Sequence, residues 1–121
     1  MTVAKAPDEV WGLVGGFGGL DAWMPGIESC TVEGDLRTLS LTGMEIVEQL
    51  RGRDEAARRI TYGIVKAPVP VEHHEATITV TPEGDGSRVT WDVEVRPDEL
   101  LGIFVSTYEG ALQAVKERLG S

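Results

Sequence analysis

The chain has a single cysteine, Cys30, few basic residues and no long hydrophobic run. One cysteine excludes an intrachain disulfide and any metal site built from several cysteines. Eleven Lys and Arg against 20 Asp and Glu give a formal charge of -9, which repels phosphate backbones and anionic lipid headgroups. No stretch approaches the ~18 apolar residues of a membrane-spanning helix. We therefore expect no nucleic acid binding and no membrane insertion.

The start of the sequence also lacks a hydrophobic signal-peptide core. Residues 1–5 read MTVAK, and we therefore expect a cytoplasmic protein. The 121 residues are 41% hydrophobic and 26% charged, which is typical of one globular domain with a real core. We assign residues 1–121 to that domain and expect a monomer or a homodimer.

Residues 87–94, near the C-terminus, are the most informative segment. Polar and apolar residues alternate in this segment, which is typical of a strand with one solvent-exposed face and one buried face. Val89 and Trp91 lie on the buried side. After Arg96 and Pro97 the period changes, and apolar residues recur at helical spacing over residues 98–119. A half-buried strand therefore leads into a long amphipathic helix that packs against the sheet.

The rest of the sequence predicts two short helices and an antiparallel meander. Pro7 at a helix start and two acids in the first turn suit helix geometry and its dipole, and glycines at 15 and 16 end this helix. A second helical turn follows at residues 20–23. Short turns between strands require antiparallel pairing, so the order predicts an α+β fold with helices on one face of a curved sheet. The predicted strands cover residues 1–5, 27–33, 36–42, 45–53, 58–66, 73–81 and 87–95.

Five short motifs occur in order along the chain: APDEVW at 6–11, WMPG at 23–26, EQL at 48–50 followed by Asp54, GSRVTW at 86–91, and GAL at 110–112 with Lys116. In this order they resemble the START and birch-pollen-allergen superfamily (SRPBCC), and most closely its polyketide cyclase/dehydrase-like branch. The resemblance implies a helix-grip fold. In that fold, a seven-stranded curved antiparallel sheet wraps around the long C-terminal helix, and two short helices follow the first strand. It also implies a cavity for an apolar ligand between sheet and helix. It does not imply one chemistry, because a fold hosts many functions.

Strand alternation places a small set of polar and aromatic residues on the inner face of the sheet. His74 shares the parity of Ala76 and Ile78, so it points inward and His73 points outward. The same reasoning turns Arg37 and Glu48 inward on their strands. Aromatic rings that face a cavity can stack on a ligand, and buried hydroxyls can orient one. The candidate ligand-binding residues are Trp23, Tyr62, Ile64, Ile78, Trp91, Phe104 and Tyr108.

Arg37, Glu48 and His74 are also the candidate catalytic residues. In an apolar chamber, Glu48 could act as a base with a raised pKa, and His74 could transfer protons near neutrality. The structural alternative, which we favour, is that Arg37 and Glu48 form a buried ion pair across neighbouring strands. His74 alone is likewise more often a satisfied buried histidine than a catalyst.

We expect neither a metal nor another cofactor. His73 and His74 are adjacent on a strand and point to opposite faces, and the sequence offers them no further His or Cys partner. The glycine-rich segment 15–19 resembles a phosphate-binding loop only loosely, because no Lys-Ser or Lys-Thr pair follows it.

Three functions stay open on this reading. The leading one is binding of a small apolar molecule, aromatic or polyketide-like, between the sheet and the C-terminal helix. The second is a cofactor-free acid/base enzyme of the cyclase, aromatase or dehydratase type. The third is a fold whose own side chains fill the cavity and which acts through a protein partner.

Overall fold

A seven-stranded antiparallel sheet dominates the structure, a computed structural model that describes residues 1–119. The last two residues of the predicted domain lie outside the described residues. The sheet order is β1-β7-β6-β5-β4-β3-β2, and every neighbouring pair is antiparallel. The strands are β1 (Thr2–Val3), β2 (Ile27–Glu33), β3 (Leu36–Leu41), β4 (Met44–Asp54), β5 (Arg59–Lys66), β6 (His73–Glu83) and β7 (Gly86–Arg96).

The helical segments occupy one side of this sheet. Helix α1 (Pro7–Val14) and a 3₁₀ turn (Leu20–Ala22) follow β1. A second 3₁₀ turn (Asp98–Leu100) leads into the long helix α2 (Leu101–Leu119). This architecture confirms the predicted α+β helix-grip fold, including the two short helical segments after the first strand.

Several strand ends differ from the prediction for a local reason. Arg58 and Thr42, which we placed inside strands, have φ angles of 52° and 45°, in the left-handed region where a strand cannot continue. The first strand is two residues long instead of five. Its pairing ends at Val3 and Ser87, next to the first residue of β7, and α1 begins at Pro7.

The core lies between the sheet and the two helices. On α2, Tyr108, Ala111 and Val115 are buried, and their spacing of three and four residues puts them on one helix face. Helix α1 contributes Val10 and Val14 from the same side of the sheet. Among residues 1–119, no helix is long and apolar enough to cross a membrane.

Candidate ligand-binding cavity

A cavity of about 190 Å³ lies between the inner face of the sheet and the first half of α2. Its wall is mostly aliphatic and aromatic, with Arg37 and Glu48 as the charged side chains. The apolar lining comes from α1, the 3₁₀ turn, β2 to β7 and α2. It consists of Val14, Leu20, Trp23, Met24, Ile27, Leu39, Leu41, Met44, Ile46, Ile60, Ile64, Val69, Ile78, Trp91, Leu100, Ile103 and Phe104.

One end of the cavity reaches solvent. The wall includes Met44 from the start of β4, Val69 from the β5–β6 loop and Ile103 from α2, and these side chains are exposed, Ile103 by 63%. An apolar molecule can therefore enter without the sheet having to open. Gly16, in the glycine-rich segment, also lines the cavity.

Arg37 and Glu48 form a buried ion pair on this wall. They face each other across β3 and β4, and both Arg37 contacts fall on one carboxylate oxygen, with Nε–Oε1 at 2.8 Å and Nη2–Oε1 at 2.7 Å. Arg37 Nη1 also donates to the Phe17 carbonyl at 3.0 Å. The guanidinium lies between the rings of Phe17 and Tyr62, 4.6 and 4.5 Å from their centroids. The structure therefore contains the buried ion pair between Arg37 and Glu48 that the sequence favoured.

The pKa of Glu48 is raised by its burial, and the charge and hydrogen bond of Arg37 act in the opposite direction. Desolvation and ion pairing compete here because the carboxylate loses water but gains a cation. The pair is held in an apolar surrounding, which makes each partner depend on the other.

A hydrogen-bonded group of aromatic side chains forms the wall next to this pair. The Ile64 amide donates to His74 Nδ1 at 3.2 Å, so the neutral ring carries its proton on Nε2. His74 Nε2 then donates to the Tyr108 hydroxyl at 2.8 Å. Trp91 Nε1 donates to the Tyr62 hydroxyl at 3.0 Å, and the Trp91 ring stacks on Tyr108 with centroids 4.2 Å apart.

Burial raises the pKa of both phenols, and it raises the pKa of Tyr108 well above the ordinary value of a tyrosine. Neither hydroxyl ionises near neutral pH, so both remain available as hydrogen-bond donors. This part of the wall therefore presents neutral polar atoms in an otherwise apolar cavity.

His74 differs from the sequence expectation in two respects. Its side chain points inward and is only 1% exposed, as strand alternation indicates, but it does not line the cavity. It lies behind Tyr108 and Phe104, whose ring centroid is 4.7 Å away. Its pKa is lowered to about 4 by burial first, and then by the charges of Arg51, His73 and Arg37. Burial therefore disfavours proton transfer by His74 near neutral pH, and a catalytic role for His74 stays a prediction.

All seven candidate ligand-binding residues lie on the cavity wall: Trp23, Tyr62, Ile64, Ile78, Trp91, Phe104 and Tyr108. Whether they bind a ligand stays a prediction. The sequence reasoning missed Thr107, whose hydroxyl donates to the Ile103 carbonyl, and the Phe17 carbonyl that holds Arg37. No sequence pattern identifies a loop carbonyl as a partner. Thr107 was detectable, because it lies three residues after Phe104 on the same helix face.

Among residues 1–119, no group of three or more His, Cys, Asp or Glu side chains is placed to hold a metal ion. Independence of metals and other cofactors stays a prediction.

Acidification is expected to destabilise the protein through His74. The folded pKa of about 4 lies below the ordinary 6.5, so the unfolded chain binds more protons between these values and stability falls as pH falls through this window. From pH 7.5 to pH 5 the loss due to His74 should be about 2 kcal/mol. Urea denaturation at both pH values, in the wild type and in His74→Gln, isolates this contribution.

The opposing contribution of Glu48 is present in both proteins and cancels in that comparison. Equal pH dependence in the wild type and in His74→Gln would show that His74 is not held neutral by the fold.

Comparison with known proteins gives a consistent set of similarities. The family model described as "Polyketide cyclase / dehydrase and lipid transport" matches residues 1–120. The protein XoxI from Bacillus cereus has a similar structure with a TM-score of 0.92 and 31% sequence identity, and the match covers 98% of this chain and 91% of XoxI. A search of curated proteins found no match.

Two more distant structures show the same fold. A START superfamily protein from Mycobacterium smegmatis is 19% identical, with a TM-score of 0.75 and coverage of 98% of this chain and 94% of that protein. Ara h 8.0201 is 18% identical, with a TM-score of 0.80 and coverage of 98% and 93%. At these identities the likeness concerns the fold alone.

Proposed function

Because the chain belongs to the polyketide cyclase/dehydrase and lipid transport family, we propose that it is a single binding domain for a small apolar molecule. The molecule, aromatic or polyketide-like, lies between the sheet and α2. The observation that carries the proposal is the cavity of about 190 Å³ with a mainly apolar wall. A well-formed apolar pocket with a few convergent polar groups is the usual form of a small-molecule site.

The open cavity also argues against the alternative in which the protein's own side chains fill this space. Folded proteins leave few voids larger than a water molecule, since packing is close. An engineered apolar cavity of about 150 Å³ stays dry and binds benzene, and the cavity here is larger than that. A binding role therefore accounts for the open volume, and a purely structural role does not.

Proton-transfer catalysis is the weaker candidate on the same wall. A general acid or base must reach the substrate and titrate near the working pH. His74 lies behind the wall and has its pKa lowered to about 4, and Arg37 and Glu48 are engaged with each other. We therefore propose binding rather than catalysis as the activity of this cavity. A cytoplasmic location and a monomeric or homodimeric state remain part of the proposal.

The proposal predicts saturable binding of an uncharged bicyclic hydrocarbon. In equilibrium dialysis against 2-methylnaphthalene, the protein should take up one molecule per chain and reach a plateau. A linear uptake without saturation, as expected for loose association with exposed apolar side chains, would contradict the proposal.

A further inference from the structure

The polar groups on the cavity wall have almost all their hydrogen-bonding capacity in use. Arg37 is engaged by Glu48 and by the Phe17 carbonyl. The Trp91 indole N–H is taken by Tyr62, and the Thr107 hydroxyl by the Ile103 carbonyl. The groups that remain free to hydrogen-bond a ligand are the two tyrosine hydroxyls and the second oxygen of Glu48.

The two tyrosine hydroxyls each keep a free O–H group. Each phenol oxygen accepts one bond, Tyr62 from Trp91 and Tyr108 from His74. Within residues 1–119 neither hydroxyl proton is donated to a protein acceptor. Each phenol can therefore donate one hydrogen bond to a ligand.

Of the two phenols, Tyr62 is the one that packs on the ion pair. The Arg37 guanidinium, which holds Glu48, lies 4.5 Å from the Tyr62 ring centroid. Burial raises the pKa of the Tyr62 hydroxyl, so it keeps its proton near neutral pH and can donate it to a ligand.

Glu48 supplies a free acceptor beside this donor. Both Arg37 contacts fall on Oε1, and within residues 1–119 no hydrogen bond to Oε2 is present. Glu48 and the Tyr62 ring adjoin the same Arg37 guanidinium, and both side chains line the cavity. A hydroxyl group fits this combination because it accepts one hydrogen bond and donates another. A ketone would leave the Glu48 oxygen without a partner.

An anionic ligand is disfavoured at the same place. The charge of Arg37 is already matched by Glu48, so a ligand carboxylate would be a second negative charge with no cation of its own. Like charges in an apolar surrounding are costly. The net charge of -9 also repels anions before they enter.

We infer that the buried end of the ligand is an uncharged hydroxyl group on an apolar framework of one or two rings, bound between Tyr62 and Glu48. This inference rests on the proposed function. The size limit follows from the cavity of about 190 Å³, compared with the ~150 Å³ that accommodates benzene.

The test compares three probes of equal framework by equilibrium dialysis at pH 7: 2-naphthol, 2-methylnaphthalene and 2-naphthoate. The wild type should bind 2-naphthol about tenfold more tightly than 2-methylnaphthalene, which corresponds to about 1.4 kcal/mol. It should bind 2-naphthoate most weakly. In Tyr62→Phe the preference for 2-naphthol should fall to about twofold or less.

The matched control is Thr61→Val. Thr61 is the neighbouring residue on β5, and its hydroxyl pairs with Thr77 outside the cavity, so its removal should leave the preference unchanged. The preference is the ratio of two dissociation constants measured on the same protein. A partial loss of folded protein in a variant affects both constants equally and cancels in the ratio.

Two results would overturn the inference alone: 2-naphthoate binding as tightly as 2-naphthol, or the same preference in Tyr62→Phe as in the wild type. Saturable binding of 2-methylnaphthalene would in either case leave the proposed function standing. If none of the three probes binds, the proposed function fails and the inference fails with it.

Discussion

Replacing Ile46 by tryptophan is expected to weaken binding of 2-methylnaphthalene by at least about 100-fold, or about 2.7 kcal/mol. Ile46 lies on the inner face of β4, opposite Leu39, and lines the cavity. An indole at this position would fill much of the open volume and exclude a bicyclic ring. Equilibrium dialysis measures the loss, and the thermal unfolding midpoint should stay near that of the wild type, because the new ring packs into empty space.

Val47→Trp is the matched control for this substitution. Val47 is the next residue on β4, with its side chain on the opposite face of the sheet, and it does not line the cavity. Ile78→Phe provides a second filling variant on β6. Undiminished binding in folded Ile46→Trp and Ile78→Phe would mean that the probe binds elsewhere.

Replacing Glu48 by glutamine is expected to lower the free energy of unfolding by about 3 kcal/mol. The shape of the side chain is kept, but the buried Arg37 loses its counter-charge, and unpaired buried charges are strongly destabilising. Urea denaturation at pH 7 measures the effect. The double variant Arg37→Met with Glu48→Leu should recover to within about 1 kcal/mol of the wild type, because an apolar pair of similar volume often replaces an ion pair without loss.

The exposed pair of Arg88 and Glu83 is the control. Glu83→Gln should leave the urea midpoint almost unchanged, since surface ion pairs contribute little. A similarly small effect in Glu48→Gln would show that water reaches the Arg37 guanidinium through the cavity, and the account of a desolvated pair would be wrong.

Strand alternation was sufficient to predict which side chains lie on the inner face of the sheet. The period of two fixed His74, Tyr62 and Ile78 on the inner face, because a shift by one residue would have turned an apolar row outward. The pairing of Arg37 with Glu48 followed from charge burial in the same way. These predictions depend on one strand at a time, and local sequence carries that information.

The position of α2 over the sheet could not be predicted in this way. The rotation of the helix brings Phe104 and Tyr108 in front of His74, and this rotation is set by the tertiary packing of α2 on β7 and α1. The lowered pKa of His74 depends on the same packing, since burial is its largest cause. The left-handed residues Thr42 and Arg58 were missed because β-branched and long side chains rarely adopt that conformation.

The most direct test of the account is to locate a bound probe by methyl NMR. The protein is titrated with 2-methylnaphthalene, and the methyl signals of cavity residues are compared with those of the buried Val3 and Val80, which do not line the cavity. The account predicts large, saturable shifts at Leu39, Ile46, Ile60 and Ile78, and small shifts at the two valines. Saturable shifts confined to exposed methyl groups such as Val32 and Val65, with the cavity signals unmoved, would contradict it.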